Sequence, residues 1–147
     1  MAGADPNRFE PLLGIRKVLQ HAEVERVAES ATRSQQRERD EERAIIDEAA
    51  ARRKLEGAEL AQAALATAGT TAARMCLAEA YARRCRARLR DATTALASAR
   101  GASEASEREL RSATERLAQA RGERQVVESY MERARQQRRQ LVERRRD

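Results

Sequence analysis

The sequence predicts an all-α fold, a long antiparallel two-helix coiled-coil hairpin, and four observations carry that expectation. Proline occurs only at Pro6 and Pro11, so nothing forces a helix to break over the rest of the 147 residues. Charged residues make up 37% and aromatics 2%, which leaves too little bulky apolar surface for a thick globular core. Alanine supplies about half of the 41% hydrophobic fraction, and alanine-, glutamate-, leucine- and arginine-rich composition suits long helices. Finally, the middle of the chain holds one uncharged stretch with turn chemistry, "ATAGTTAA" at 66–73.

The elements follow in order. Residues 1–8 are expected to form a disordered leader, ahead of a single hairpin over 9–147. Helix-forming composition begins near Phe9 and Pro11, where proline suits a first helical turn. Leu12, Ile15, Leu19 and Ala22 then recur at 3-4 spacing and predict the helical seam. Val24, Val27, Ala28 and Ala31 continue it after a shift of phase, and Ile45, Ile46, Ala49, Leu55, Leu60 and Leu65 resume it after a polar stretch. The first helix is expected over about 9–66, the turn over about 67–71 and the second helix over about 72–146. Gly69 fits the residue after a helix C-terminus, and Thr70 or Thr71 fits the cap of the next helix. A second hinge at Gly101, within "RGAS", would give three helices instead.

Folding back near Gly69 pairs residues whose numbers sum to about 139, given one residue per 1.5 Å on both helices. Phe9 then opposes Tyr130, Leu12 and Leu13 oppose Val127 and Val126, and the small, polar segment 96–107 opposes the equally bland 32–43. Helices of about 56 and 74 residues would span on the order of 85 and 110 Å, so the second outruns the first. Its overhang is "YMERARQQRRQLVERRRD", rich in arginine and poor in apolar residues because it has no partner within the chain. Exposed i,i+4 pairs such as Glu48–Arg52, Glu79–Arg83, Glu104–Arg108 and Glu107–Arg111 suit solvated helix faces.

The charge balance is +6 with a pI near 10.3, which by itself points toward nucleic acid or an anionic surface. Interleaved acids, as in "SQQRERDEER", neutralise much of it locally. No catalytic constellation is present: His21 is the lone histidine and reads as a surface or seam residue, and the carboxylates are scattered over charged helix faces. Cys76 and Cys85 lie nine residues apart, on opposite faces of a helix, and read as small apolar residues that share neither a disulfide nor a metal. The expectation is a protein that is not an enzyme and carries no cofactor or metal. No apolar leader or 18-residue apolar run occurs, so the default location is cytoplasmic.

The run "RFEPLLGIRKVLQHAEVERVAES", with Phe9, Leu12, Leu13, Ile15, Arg16 and Lys17, resembles the opening of the FliJ family of flagellar export proteins and the YscO-type injectisome stalks. "ERQVVESYMERARQQRRQ" resembles the closing helix of that family, although the chain ends on "ERRRD" without the acidic close of many members. The resemblance implies a central stalk of a type III protein export apparatus, at the inner face of the membrane, whose paired termini enter the hexameric export ATPase. It also implies contacts with the cytoplasmic domain of the export gate and with export chaperones. Carried onto this chain, the ring-contact residues would be Arg8, Phe9, Leu12, Leu13, Arg16 and Lys17 with Arg133, Arg135, Arg138, Arg139, Arg144, Arg145 and Arg146. Near the turn, Met75, Leu77 and Tyr81 either pack in the seam or form an export-gate contact.

Two other readings stand beside this one. An arginine-rich coiled coil binding RNA or DNA is motivated by the basic C-terminus and by Arg83, Arg84, Arg86, Arg88 and Arg90, but stacking aromatics are missing. A structural dimeric coiled coil would result if the chain did not turn at Gly69 and two copies paired; the hairpin reading expects a monomer.

Overall fold

The structure is a computed structural model that describes residues 6–145. A 3-10 turn at Pro6–Phe9 leads into α1, Glu10–Ala68, and α2, Ala72–Glu143, follows after three residues. The two long helices pack against each other as an all-α hairpin, with no strand among the described residues. Pro6 to Arg8 of the expected disordered leader are therefore in a helical turn, and residues 1–5 lie outside the described range. α2 stops at Glu143 rather than near 146, its last turn loosening where Arg145 N–H reaches Val142 rather than a carbonyl four residues back.

The turn is made by one backbone feature. Gly69 has φ +70°, the left-handed conformation that closes a helix end and that glycine adopts without Cβ strain. Thr71 is the cap of α2: its carbonyl accepts the Met75 N–H at 3.1 Å, one residue ahead of Ala72. Gly101, the other candidate hinge, lies inside unbroken α2.

Chain packing divides the molecule into two units, a terminal unit of residues 6–32 with 108–145 and a turn unit of residues 33–107. In the turn unit, Ala58, Ala82 and Cys85 form a small buried cluster with Leu55 against it, and Leu96 is buried further along α2. Ser34, Ser103 and Ser106 are buried in the same unit, and Ser106 Oγ donates to the Ser103 carbonyl at 2.8 Å. That bond satisfies the hydroxyl within its own helix, so the bland middle of the sequence packs closely without bulky side chains. In the terminal unit the buried residues of α2 are Ala113, Leu117, Val127, Met131 and Ala134.

On α2 the buried and half-buried positions run Met75, Ala78, Ala82, Cys85, Leu89, Ala92, Leu96 and onward to Ala134 at alternating 3-4 spacing with no skip, the a/d frame of a heptad repeat. The corresponding positions of α1 are Leu13, Arg16, Gln20, Glu23, Val27 and Ser30 in the terminal unit, and Ser34, Glu41, Ala44, Glu48, Ala51, Leu55, Ala58 and Leu65 in the turn unit. This corrects the predicted seam. Leu12, Ile15 and Leu19 sit one residue off the frame and are 38%, 57% and 47% exposed, and Ile45, Ile46 and Leu60 are exposed as well. The physical reason is the length of the frame. A seam through Leu12, Ile15, Leu19 and Ala22 would continue into Arg26, Glu29 and Arg33, whereas the frame through Leu13 collects Val27, Ser30, Ser34, Ala44, Ala51, Leu55 and Ala58.

The ion pairs between helices agree with a turn at Gly69. Within the terminal unit Arg16 bonds Glu123 and Arg116 Nε stands 3.8 Å from Glu23 Oε2. Within the turn unit Arg86 bonds Glu59 at 3.2 Å and Arg100 lies 3.6 Å from Glu41. Of the expected opposing pairs near the termini, Val127 is buried and Leu13 half-buried, while Leu12, Val126 and Tyr130 turn outward.

Candidate interaction surface

The terminal unit gathers the residues that the sequence singles out at both ends of the chain. Phe9 and Leu13 are half-buried, Arg8 and Lys17 are exposed, and Arg16 is half-buried with its guanidinium on Glu123. Gln20 accepts a bond of 3.2 Å from Arg124 Nη1, and Arg124 Nε also bonds Glu128 at 2.8 Å. Arg16 thus bridges the two helices, its charge already engaged by an acid on the facing helix.

Beyond Ala134 every described residue is exposed, including Arg135, Arg138, Arg139, Arg144 and Arg145, and Arg133 is exposed one residue before Ala134. Arg146 lies outside the described residues. Between 133 and 145 Glu143 is the single acid, so this stretch carries a high density of positive charge. Leu141 and Val142 add 49% and 46% exposed apolar side chains to it.

In the turn unit the three predicted gate-contact residues separate. Met75 is half-buried on the seam, whereas Leu77 is 71% and Tyr81 47% exposed. The Arg84 guanidinium lies over the Tyr81 ring at 6.0 Å from its centroid. The arginine cluster around it is partly engaged: Arg86 pairs with Glu59, and Arg83 lies 3.6 Å from Glu79. The exposed i,i+4 pair Glu48–Arg52 forms at 2.6 Å, and the hydrogen bond to Glu48 holds the Arg52 guanidinium above its ordinary pKa.

No chemistry-bearing cluster gathers elsewhere among the described residues. His21 is at the surface, Nε2 standing 3.4 Å from Glu25 Oε1, and no group of three or more His, Cys, Asp or Glu residues could hold a metal ion. Cys85 is buried in the seam, whereas Cys76 is exposed. The depression lined by Gln125, Glu128, Ser129, Glu132, Arg133 and Gln136 runs along α2 alone and is polar. No described helix is long and apolar enough to cross a membrane.

What sequence reasoning missed is a second apolar stripe. With the seam assigned to heptad positions a and d, Leu12 and Leu19 fall at g, Ile15 and Ala22 at c, Val126 at c and Tyr130 at g. The signal was present as two interleaved 3-4 series offset by one residue, Leu12–Ile15–Leu19–Ala22 and Leu13–Arg16–Gln20–Glu23. The more apolar series attracted the seam assignment. Compared with protein-family models, curated protein sequences and solved structures, the chain matches none.

Proposed function

We propose that this protein is the non-enzymatic central stalk of a type III protein export apparatus, its paired helix ends entering a hexameric export ATPase on the cytoplasmic side of the membrane. The observation that carries the reading is the exposed arginine stretch 133–145, which belongs to the same packed unit as the start of α1. A dense run of guanidinium groups suits an acidic ring lining, where complementary charge speeds encounter and fixes register. Arg8 and Lys17, exposed in that unit, add to it. Leu77 and Tyr81, exposed beside one another on α2, are the surface this reading assigns to the export gate. Export chaperones complete its partners.

The test is ATP hydrolysis by the export ATPase of the same organism, with and without the chain. Wild type should stimulate turnover severalfold, and an Arg138→Glu/Arg139→Glu/Arg144→Glu variant with an unchanged melting curve should not. An equal effect of both proteins, or none from either, sinks the proposal. Nucleic-acid binding is the competing reading, favoured by the same arginines; it requires RNA affinity that falls steeply with salt.

A further inference from the structure

The two broad sides of the terminal unit differ in chemistry. Antiparallel pairing turns the g edges of α1 and α2 toward one side of the hairpin and the e edges toward the other, because reversing one helix exchanges its flanks. The observed bonds respect this: Glu123 and Arg116, both at g on α2, reach Arg16 and Glu23 across the seam. The e side of the unit carries Lys17, Arg121, Glu128 and Arg135 around Val24. The g side carries Leu12, Leu19 and Tyr130, with Ile15 and Val126 at c beside them, all between 38% and 58% exposed, and it also holds Arg26, Arg116 and the Glu123 that bonds Arg16.

We infer that this g-side face, formed by Leu12, Ile15 and Leu19 of α1 with Val126 and Tyr130 of α2, is a docking groove for one amphipathic helix of another protein, acidic at the end that runs along residues 133–145. Three features of the face select that occupant. The spacing Leu12, Ile15, Leu19, Ala22 spans about 15 Å, roughly three helical turns, and offers knobs at the 3-4 intervals that a third helix needs. Its apolar surface is on the order of 400 Å², the size at which patches on single chains usually have a function. Arg133, at c next to Tyr130, begins the exposed arginine-rich stretch, which supplies charge complementarity for acidic residues at one end of the incoming helix.

The inference rests on packing and charge alone and stands whether or not the stalk proposal does, so its test contains no ATPase. A fluorescein-labelled synthetic peptide about three heptads long, with leucine at a and d and glutamate crowded at one end, is titrated with the full chain and followed by anisotropy. Expected is saturable binding in the micromolar range, weaker by about tenfold or more with an Ile15→Glu/Val126→Glu variant. Both positions are exposed, so the variant should keep the wild-type helical melting curve. A peptide with lysine in place of the glutamates should bind about tenfold more weakly. Absence of saturable binding, equal binding of a scrambled peptide, or full affinity in the variant overturns the inference. So does a wild type that sediments as a dimer while the variant is a monomer, which would give the face to a second copy. Single-stranded RNA binding lost in the same variant would give it to nucleic acid and likewise overturn the inference.

Discussion

Glu23 of α1 and Arg116 of α2 face each other across the terminal seam, Oε2 to Nε at 3.8 Å, and the Glu23 oxygen is buried without a hydrogen bond. The other carboxylate oxygen takes Arg26 at 2.5 Å from its own helix. A carboxylate on the seam loses hydration; Oε1 regains a short bond to Arg26, but for Oε2 one long contact to a cation recovers little of its share of that loss. The position is a d site on the frame that also holds Leu13 and Val27, so an apolar side chain there would pack. Glu23→Leu is therefore expected to stabilise the hairpin by about 1–2 kcal/mol in urea denaturation, with the sign opposite to that of most seam substitutions. A loss of stability would show that the Glu23 charge is worth more than its burial costs.

The glycines offer a test of where the chain turns. Gly69 has positive φ, and any side chain there is strained; Gly69→Ala should cost about 1 kcal/mol. Gly101 is inside α2, with nothing within 4 Å of an added Cβ. Gly101→Ala should therefore stabilise by about 0.5–1 kcal/mol through helix propensity alone. Thermal melting by circular dichroism reads both. A Gly101→Ala variant that melts lower would put a bend where the structure has continuous helix.

Leucines divide sharply by position. Leu117, 8% exposed on the α2 seam, should lose about 2–3 kcal/mol on replacement by alanine. Leu60, 72% exposed, should change stability by no more than about 0.5 kcal/mol with the same substitution. Chemical denaturation of the two variants, compared at constant slope, checks the seam frame directly. Equal costs would mean that α1 is rotated from the orientation described.

Helical content, the turn at Gly69 and the near-absence of bulky core residues were all legible in the sequence, for local reasons. Proline placement, helix propensity and the left-handed preference of glycine act over a few residues and need no partner. Which face of α1 meets α2 was not legible. Leu12 and Leu13 are neighbours with the same side chain, and each begins a 3-4 series; local pattern favoured the richer series, through Ile15 and Leu19. Only the tertiary structure chose between them, because the partner helix contributes its own unbroken frame from Met75 to Ala134 and tests α1 over its whole length. That choice puts Arg16, Gln20 and Glu23 inside, where α2 supplies Glu123, Arg124 and Arg116 to meet them, and leaves the apolar stripe outside. Sequence determined that there are two helices and where they part; the packing of one against the other decided which residues hold them together and which remain to meet something else.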